Sequence, residues 1–223
     1  MKRQSILFVR SMCVVILFIT LAACKDTDNR VFGDDFEFPA LTDENTIRFT
    51  VNVVGDWRQL DIVASGGRMV IDWGNGRIQK IEDPSSMTGG VVYRYGNKGS
   101  YEVKIWAEEL QLIDISGLLL PLSNLYLGNM PRMKSLALNS ISDTRELDLN
   151  TFCPNVESIN IGSLADLERL EIGNCSRLRS IQIYSNPKLT SIEFGSHPET
   201  ESLYCSYNGL SSLSLKNLPA LRN

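Results

Sequence analysis

Val156-Glu157-Ser158-Ile159-Asn160-Ile161, Leu178-Arg179-Ser180-Ile181-Gln182-Ile183 and Thr200-Glu201-Ser202-Leu203-Tyr204-Cys205 recur at intervals of 22 residues and share one pattern. A charged residue and a serine follow the first position, and apolar side chains then alternate with polar ones. Reduced to apolar-x-x-apolar-x-apolar, the pattern extends in both directions. Its middle positions are Leu125, Leu136, Leu147, Ile159, Leu170, Ile181, Ile192, Leu203 and Leu213, which step by 11, 11, 12, 11, 11, 11, 11 and 10. Thr144, Thr200 and Cys205 are the departures from large apolar residues. In an extended segment successive side chains point to opposite faces, so the two closely spaced apolar residues share one face and the residue between them points out. One eleven-residue unit buries nothing alone. Two units make a coil of about 22 residues, and stacked coils make the aliphatic ladder continuous, which is the signature of a solenoid. Gly173-Asn174, Asn186-Pro187 and Asn208-Gly209 fall between the units, where the chain must turn.

If alternate units occupy opposite sides of the coil, their outward residues form two separate faces. Tyr126, Asp148, Glu171 and Glu193 fall on one, an acidic stripe; Asn160, Gln182, Tyr184, Tyr204 and Tyr207 fall on the other. Tyrosine supplies large contact area at low rotamer cost, which makes the second face the candidate ligand-contact surface. The same tyrosines also serve to cover the edges of the ladder. Lys134, Glu157, Arg179 and Glu201 occupy one variable position and alternate in sign, and Ser135, Ser158, Ser180 and Ser202 follow them, so both sets are expected as stacked rows.

The segment from Thr46 to Trp106 carries a different signal. Ile47, Phe49, Val51 and Val53 alternate with polar residues at the period of two expected of a half-buried strand. Further strands are expected at Gln59 to Val63, Arg68 to Asp72, Gly76 to Ile81, Val91 to Tyr95 and Tyr101 to Trp106. Asn75-Gly76 predicts a tight hairpin with two positive φ angles, and Ser65-Gly66-Gly67 predicts another. Asp72 and Asn75 read as residues that bond their own turn backbone.

At the N-terminus, Lys2, Arg3 and Arg10 precede an apolar stretch from Met12 to Ala23 that is too short to span a bilayer, the form of a secretory signal. Lys25 to Glu44 contains seven acidic residues and little apolar material, and reads as a flexible acidic tether. A net charge of -4 and a pI of about 5.1 argue against a nucleic-acid partner. With Cys13 in the leader, Cys24, Cys153, Cys175 and Cys205 show no metal-ligand spacing, and Cys153 and Cys175 read as buried free thiols. At the other end, Leu221-Arg222-Asn223 begins a tenth unit, and no polar cap is visible to cover the last ladder.

Three resemblances follow from these residues. Leu21-Ala22-Ala23-Cys24 resembles the lipobox of bacterial lipoproteins, which implies lipidation of Cys24 and a membrane-bound chain; Cys24-Lys25-Asp26-Thr27-Asp28 is similar to the acidic export signal of surface-facing outer-membrane lipoproteins. Ile71-Asp72-Trp73-Gly74-Asn75-Gly76 and Val92 to Ile105 resemble the polycystic-kidney-disease-like (PKD-like) domain, an immunoglobulin-type sandwich in which Trp73 would anchor the core and whose usual Trp-Gly-Asp-Gly is altered at Asn75. The C-terminal half resembles short-unit leucine-rich repeats. That family's Asn or Cys nine positions into each unit is matched by Cys175, Asn186 and Asn208 but not by Met130, Ile141, Phe152 or Leu164, which predicts irregular first coils.

The organisation expected is therefore mainly β: a leader at 1–23, a tether at 24–44, a PKD-like sandwich at 45–108 and a leucine-rich-repeat solenoid with coils of about 22 residues at 109–223. Nothing converges as a catalytic group would. His197, the single histidine, precedes Pro198 in a turn, Asp148, Glu171 and Glu193 stand in an exposed ladder, and no phosphate-binding glycine pattern is present. No cofactor and no metal are expected. The sequence points to recognition of a protein or glycan ligand by the repeats, or to an accessory lipoprotein of an outer-membrane assembly whose sandwich holds a glycan.

Overall fold

A computed structural model describes residues 43–56, 58–84, 89–116 and 120–222. The leader, Cys24 and the tether as far as residue 42 lie outside the described residues. The protein is mainly β, and its C-terminal part is a β-solenoid of about four turns.

The alternating N-terminal segments form strands β1 (Thr46–Val53), β2 (Gln59–Ser65), β3 (Met69–Asp72), β4 (Ile78–Ile81), β5 (Val91–Arg94) and β6 (Gly99–Ala107). The solenoid region adds β7 (Leu112–Ser116), β8 (Leu122–Leu127), β9 (Ser135–Asn139), β10 (Glu146–Asp148), β11 (Ser158–Gly162), β12 (Arg169–Glu171), β13 (Ser180–Tyr184), β14 (Ser191–Glu193) and β15 (Ser202–Ser206), with one short helix, α1 (Leu149–Phe152). Three sheets result. Their orders are β4-β3-β6-β1-β8, β10-β12-β14 and β15-β13-β11-β9-β7-β2-β5.

The solenoid strands pair in parallel and in register. Ile113, Leu136, Ile159, Ile181 and Leu203 lie side by side, and on the opposite side of the coil Leu147, Leu170 and Ile192 do the same. Alternate units therefore occupy opposite sides, as the apolar period requires. Corners repeat as faithfully as strands. Ser140, Ser163, Ser185 and Tyr207 all hold φ between 54 and 58°, a left-handed conformation at the same place in each coil. Two buried corner ladders run down the axis, Ile141-Leu164-Asn186 continuing into half-buried Asn208, and Met130-Cys153-Cys175-His197.

The second ladder is continuous, while the first coils are irregular as expected, one of them carrying α1 and 23 residues in place of 22. Asp148 caps α1 by accepting from the Thr151 amide at 3.2 Å and from its hydroxyl at 2.6 Å. The one residue gained there is the step of twelve in the repeat, and it brings Cys153, not Phe152, into the ladder. The ladder positions of these first coils hold apolar residues.

The first repeat unit is also corrected. Leu122, Leu125 and Leu127 belong to β8, which pairs antiparallel with β1 and closes the five-stranded sheet. The ladder starts one element earlier, in β7, where Leu110, Ile113 and Ile115 fit the same template and are fully buried. β1 has one side bonded to β6 and needs a second partner for its backbone, and β8 supplies it.

β7 bonds antiparallel to β2 and parallel to β9, so one seven-stranded sheet runs from the N-terminal region into the solenoid, across the 108/109 position. The core is likewise one cluster, from Ile47 to Leu189. Between the two N-terminal sheets the rings of Trp73, Tyr93, Tyr95 and Tyr101 pack in sequence, with Trp73 stacked on Tyr93 at 4.3 Å and Tyr95 on Tyr101 at 4.5 Å. Trp73 is fully buried and its indole N–H donates to Gln79 Oε1 at 3.2 Å. Burial pushes the Tyr95 hydroxyl far above its usual range.

The β3–β4 reversal uses a five-residue loop in place of the expected two-residue turn. Gly74 and Gly76 take the positive φ angles, and Asn75 does not. Asp72 Oδ1 and Asn75 Oδ1 accept the amides of Gly74 and Arg77 at 2.9 and 3.2 Å, the local Asx bonds anticipated from sequence. Gly66-Gly67 does not make a hairpin. β2 and β3 lie in different sheets, and the glycines carry the chain across, with Gly66 packed so tightly on the Glu109 carbonyl that a Cβ would collide with it.

Candidate binding face

The outward positions of β9, β11, β13 and β15 form three rows. Ser135, Ser158, Ser180 and Ser202 make the first; Ala137, Asn160, Gln182 and Tyr204 the second; Asn139, Gly162, Tyr184 and Ser206 the third. Asn160, Gln182 and Tyr204 are register neighbours, at the strand spacing of about 4.8 Å. Tyr184 stands in the adjacent row. Its ring lies across Gly162 so that Oη donates to Asn139 Oδ1 at 2.6 Å, two strands away. A Cβ on Gly162 would overlap both the Tyr184 ring and Asn139 Oδ1, so the glycine is the space the ring uses.

Tyr204 is 52% exposed, and its ring centroid is 6.3 Å from that of Tyr184 at an interplanar angle of 64°. The two rings therefore meet edge to face. Asn160 Oδ1 is buried with no partner among the described residues, whereas Gln182 is exposed. Tyr207 takes the left-handed corner after β15 and is 83% exposed, so it flanks the face and does not lie on it. Four of the five sequence-predicted contact residues thus share one surface and the fifth borders it. Asn139 and Gly162 were missed, although both stand in the repeat position that holds Tyr184.

On the opposite side, Asp148, Glu171 and Glu193 are consecutive register partners in β10, β12 and β14. Arg169 reaches Glu171 at 3.0 Å, and Asp148 is occupied by capping α1. Tyr126 does not join this stripe. It belongs to β8, where Arg48 lies 4.0 Å over its ring and its hydroxyl meets Asp43 at 3.2 Å.

The charged row is stacked by its own backbone. Each of the Lys134, Glu157 and Arg179 carbonyls accepts two amides from the next coil. The direct ion pair of Arg179 goes to Glu199 at 2.8 Å, and that carboxylate, with Glu157 and Glu201 contributing, raises the guanidinium's affinity for its proton.

His197, between β14 and β15 where a turn was expected, is fully buried in a corner ladder. Its Nδ1 lies 3.0 Å from the Cys175 carbonyl, which can only accept, so Nδ1 carries the proton; Nε2 is buried without a partner. Burial holds its pKa below 6.5 against the opposing bond to Cys175. Cys153 and Cys175 are free, and burial pushes both thiols up to about 12, which leaves them protonated at neutral pH. Among the described residues no three His, Cys, Asp or Glu side chains gather as a metal site.

No protein-family model, no curated protein and no solved structure matches this chain.

Proposed function

We propose that this chain is a lipid-anchored envelope protein that works by recognition, and that the outer face of β9, β11, β13 and β15 is its contact surface. The single observation carrying the reading is the pair of tyrosines inclined to one another on a hydrogen-bonded parallel sheet. Because the strands are fixed by backbone bonds and Tyr184 by Asn139, little side-chain freedom is lost on binding, which favours affinity. The inert state of the candidate nucleophiles supports binding over catalysis, since the thiols are protonated and the imidazole is sealed in the core. In this reading the coils are short-unit leucine-rich repeats and the N-terminal sheets a PKD-like sandwich, consistent with the buried Trp73. Cys24 is the proposed lipid attachment, with the acidic segment holding the folded part off the outer membrane and facing outward.

Two measurements test this. Replacing Cys24 with Ala should move the protein from the membrane pellet to the soluble fraction, and proteinase added to intact cells should digest the wild-type chain. Retention of the Cys24→Ala variant in the membrane would reject the anchor.

A second reading has its own observation. Asp56, Arg58, Gln59, Arg94, Tyr95 and Gly96 line a cavity of about 590 Å³ at one end of the N-terminal sheets, where Arg58 bonds the Gly96 carbonyl. It favours an accessory lipoprotein holding a glycan there. Loss of ligand binding in Arg94→Ala, with Tyr204→Ala unaffected, would select it.

A further inference from the structure

We infer that the ligand of the tyrosine-bearing face is a neutral saccharide. The inference rests on the reading of that face as the contact surface, and it adds the chemical class.

Charge is the first argument. Of the three outward positions on each of β9, β11, β13 and β15, none holds Asp, Glu, Lys or Arg, although such residues make up 22% of the chain. On the opposite sheet, by contrast, Glu146, Asp148, Arg169, Glu171 and Glu193 occupy every outward position except Ser191. The neutral face also has charged borders: the Lys134 to Glu201 row runs along its serine side, and Asp114 of β7 closes one end. An ionic ligand laid on this face would lose hydration with no opposite charge to replace it.

Polarity is the second. Ala137 and Gly162 are the two outward positions that lack a polar side chain, and Tyr184 covers Gly162. An apolar helix or a hydrophobic peptide needs apolar anchor sites, and this surface is hydroxylated. Serine hydroxyls and asparagine or glutamine amides both donate and accept. They repeat along the sheet at about 4.8 Å, an array suited to a ligand whose every hydroxyl does both.

The rings are the third. The electron-rich face of a tyrosine attracts partially positive C–H groups, and a pyranose presents such groups on its flat side. Tyr184 is held over Gly162 by Asn139 and Tyr204 stands at 64° to the Tyr184 ring, so a sugar ring resting on one meets the other at its edge. Gln182, exposed beside Tyr204 in its row, then lies next to the sugar's hydroxyls.

The test uses the full chain in detergent, titrated with a soluble glucan, mannan and galactan and with polygalacturonate and a sulfated glucan as anionic counterparts. At least one neutral polysaccharide should bind. Its affinity should change by less than about twofold between low salt and about 0.5 M salt, since no ion pair is formed. Tyr204→Ala and Gln182→Glu should each weaken it by about tenfold or more, with circular dichroism unchanged. Failure to bind any neutral polysaccharide overturns the inference. So does salt-sensitive preference for the anionic ones, or capture of a protein ligand in their place; if Tyr204→Ala abolishes that other binding, the contact-face reading survives while the saccharide class falls. Neutral binding that both variants retain overturns inference and contact face together.

Discussion

Gly162 and Tyr184 show how a single missing methyl group can shape a surface. The ring occupies the volume a Cβ would fill, and its hydroxyl bonds Asn139 beyond it. Gly162→Ala should therefore displace the ring and destabilise the fold by up to about 1 kcal/mol, the low end of overpacking, because the atoms it meets are side-chain ends. In the Tyr184→Ala background only the contact with Asn139 Oδ1 remains and the cost should be smaller, so a double-mutant cycle by urea denaturation gives a coupling of about 0.5 kcal/mol or more. Additive effects would mean the two residues do not share that space. His197 gives a pH prediction at the same scale. Its folded-state pKa lies below the unfolded value of 6.5, so the unfolded chain binds more protons in acid. Stability is full above about pH 6.5 and falls as the pH drops through and below it. Denaturation midpoints at pH 7.5 and 5.5 should differ more for the wild type than for His197→Asn.

At the scale of elements, the corner ladders carry more than the strands reveal. Asn186 is fully buried, donates to the Ile161 carbonyl at 3.1 Å and to Asn208 Oδ1 at 3.0 Å, and accepts the Leu164 amide at 2.9 Å. Asn186→Ala leaves these groups unpaired and should cost about 2 to 4 kcal/mol, measured as a fall in the urea midpoint with unchanged slope. The apolar period alone placed β9 to β15 and their division between two sides, because alternation and spacing are local properties of the chain. The six N-terminal strands were legible for the same reason. What stayed hidden depended on partners distant in sequence. β8 carries the repeat's residues yet pairs with β1, and β7 carries them as well but ends in a sheet shared with β2. The ladder role of Cys153 was masked by the extra residue of α1, which shifts the count by one. Of the candidate face, the tyrosines and amides could be read from the outward positions. The floor beneath Tyr184 could not be, because it arises where two coils meet.

For the whole molecule, the shared sheet makes cooperativity the defining expectation. Trp73 reports on the N-terminal sheets, and Cys153 and Cys175 are sealed in the solenoid. Tryptophan fluorescence and thiol labelling should therefore follow one denaturation curve with a common midpoint. Two separated midpoints would show that β2 and β7 part before either region unfolds. The charge asymmetry belongs to this scale too, with a neutral face and an acidic stripe on opposite sides of one narrow coil. Raising salt should leave ligand binding at the neutral face nearly unchanged while weakening any cation association with the stripe.

The stacking of parallel coils also sets how the chain responds to force. Pulled between its N-terminal region and its last residue, the solenoid is loaded at its final strand, where the bonds of β15 to β13 open in sequence like a zipper and not all at once in shear. Each coil so released frees 22 residues or 23, about 75 Å of extended chain. A force-extension trace should accordingly show small, evenly spaced steps of that length before a larger event, the rupture of the antiparallel N-terminal sheets. A molecule held at one end and bound at the other would lengthen by whole coils under load while its far sheets stayed folded.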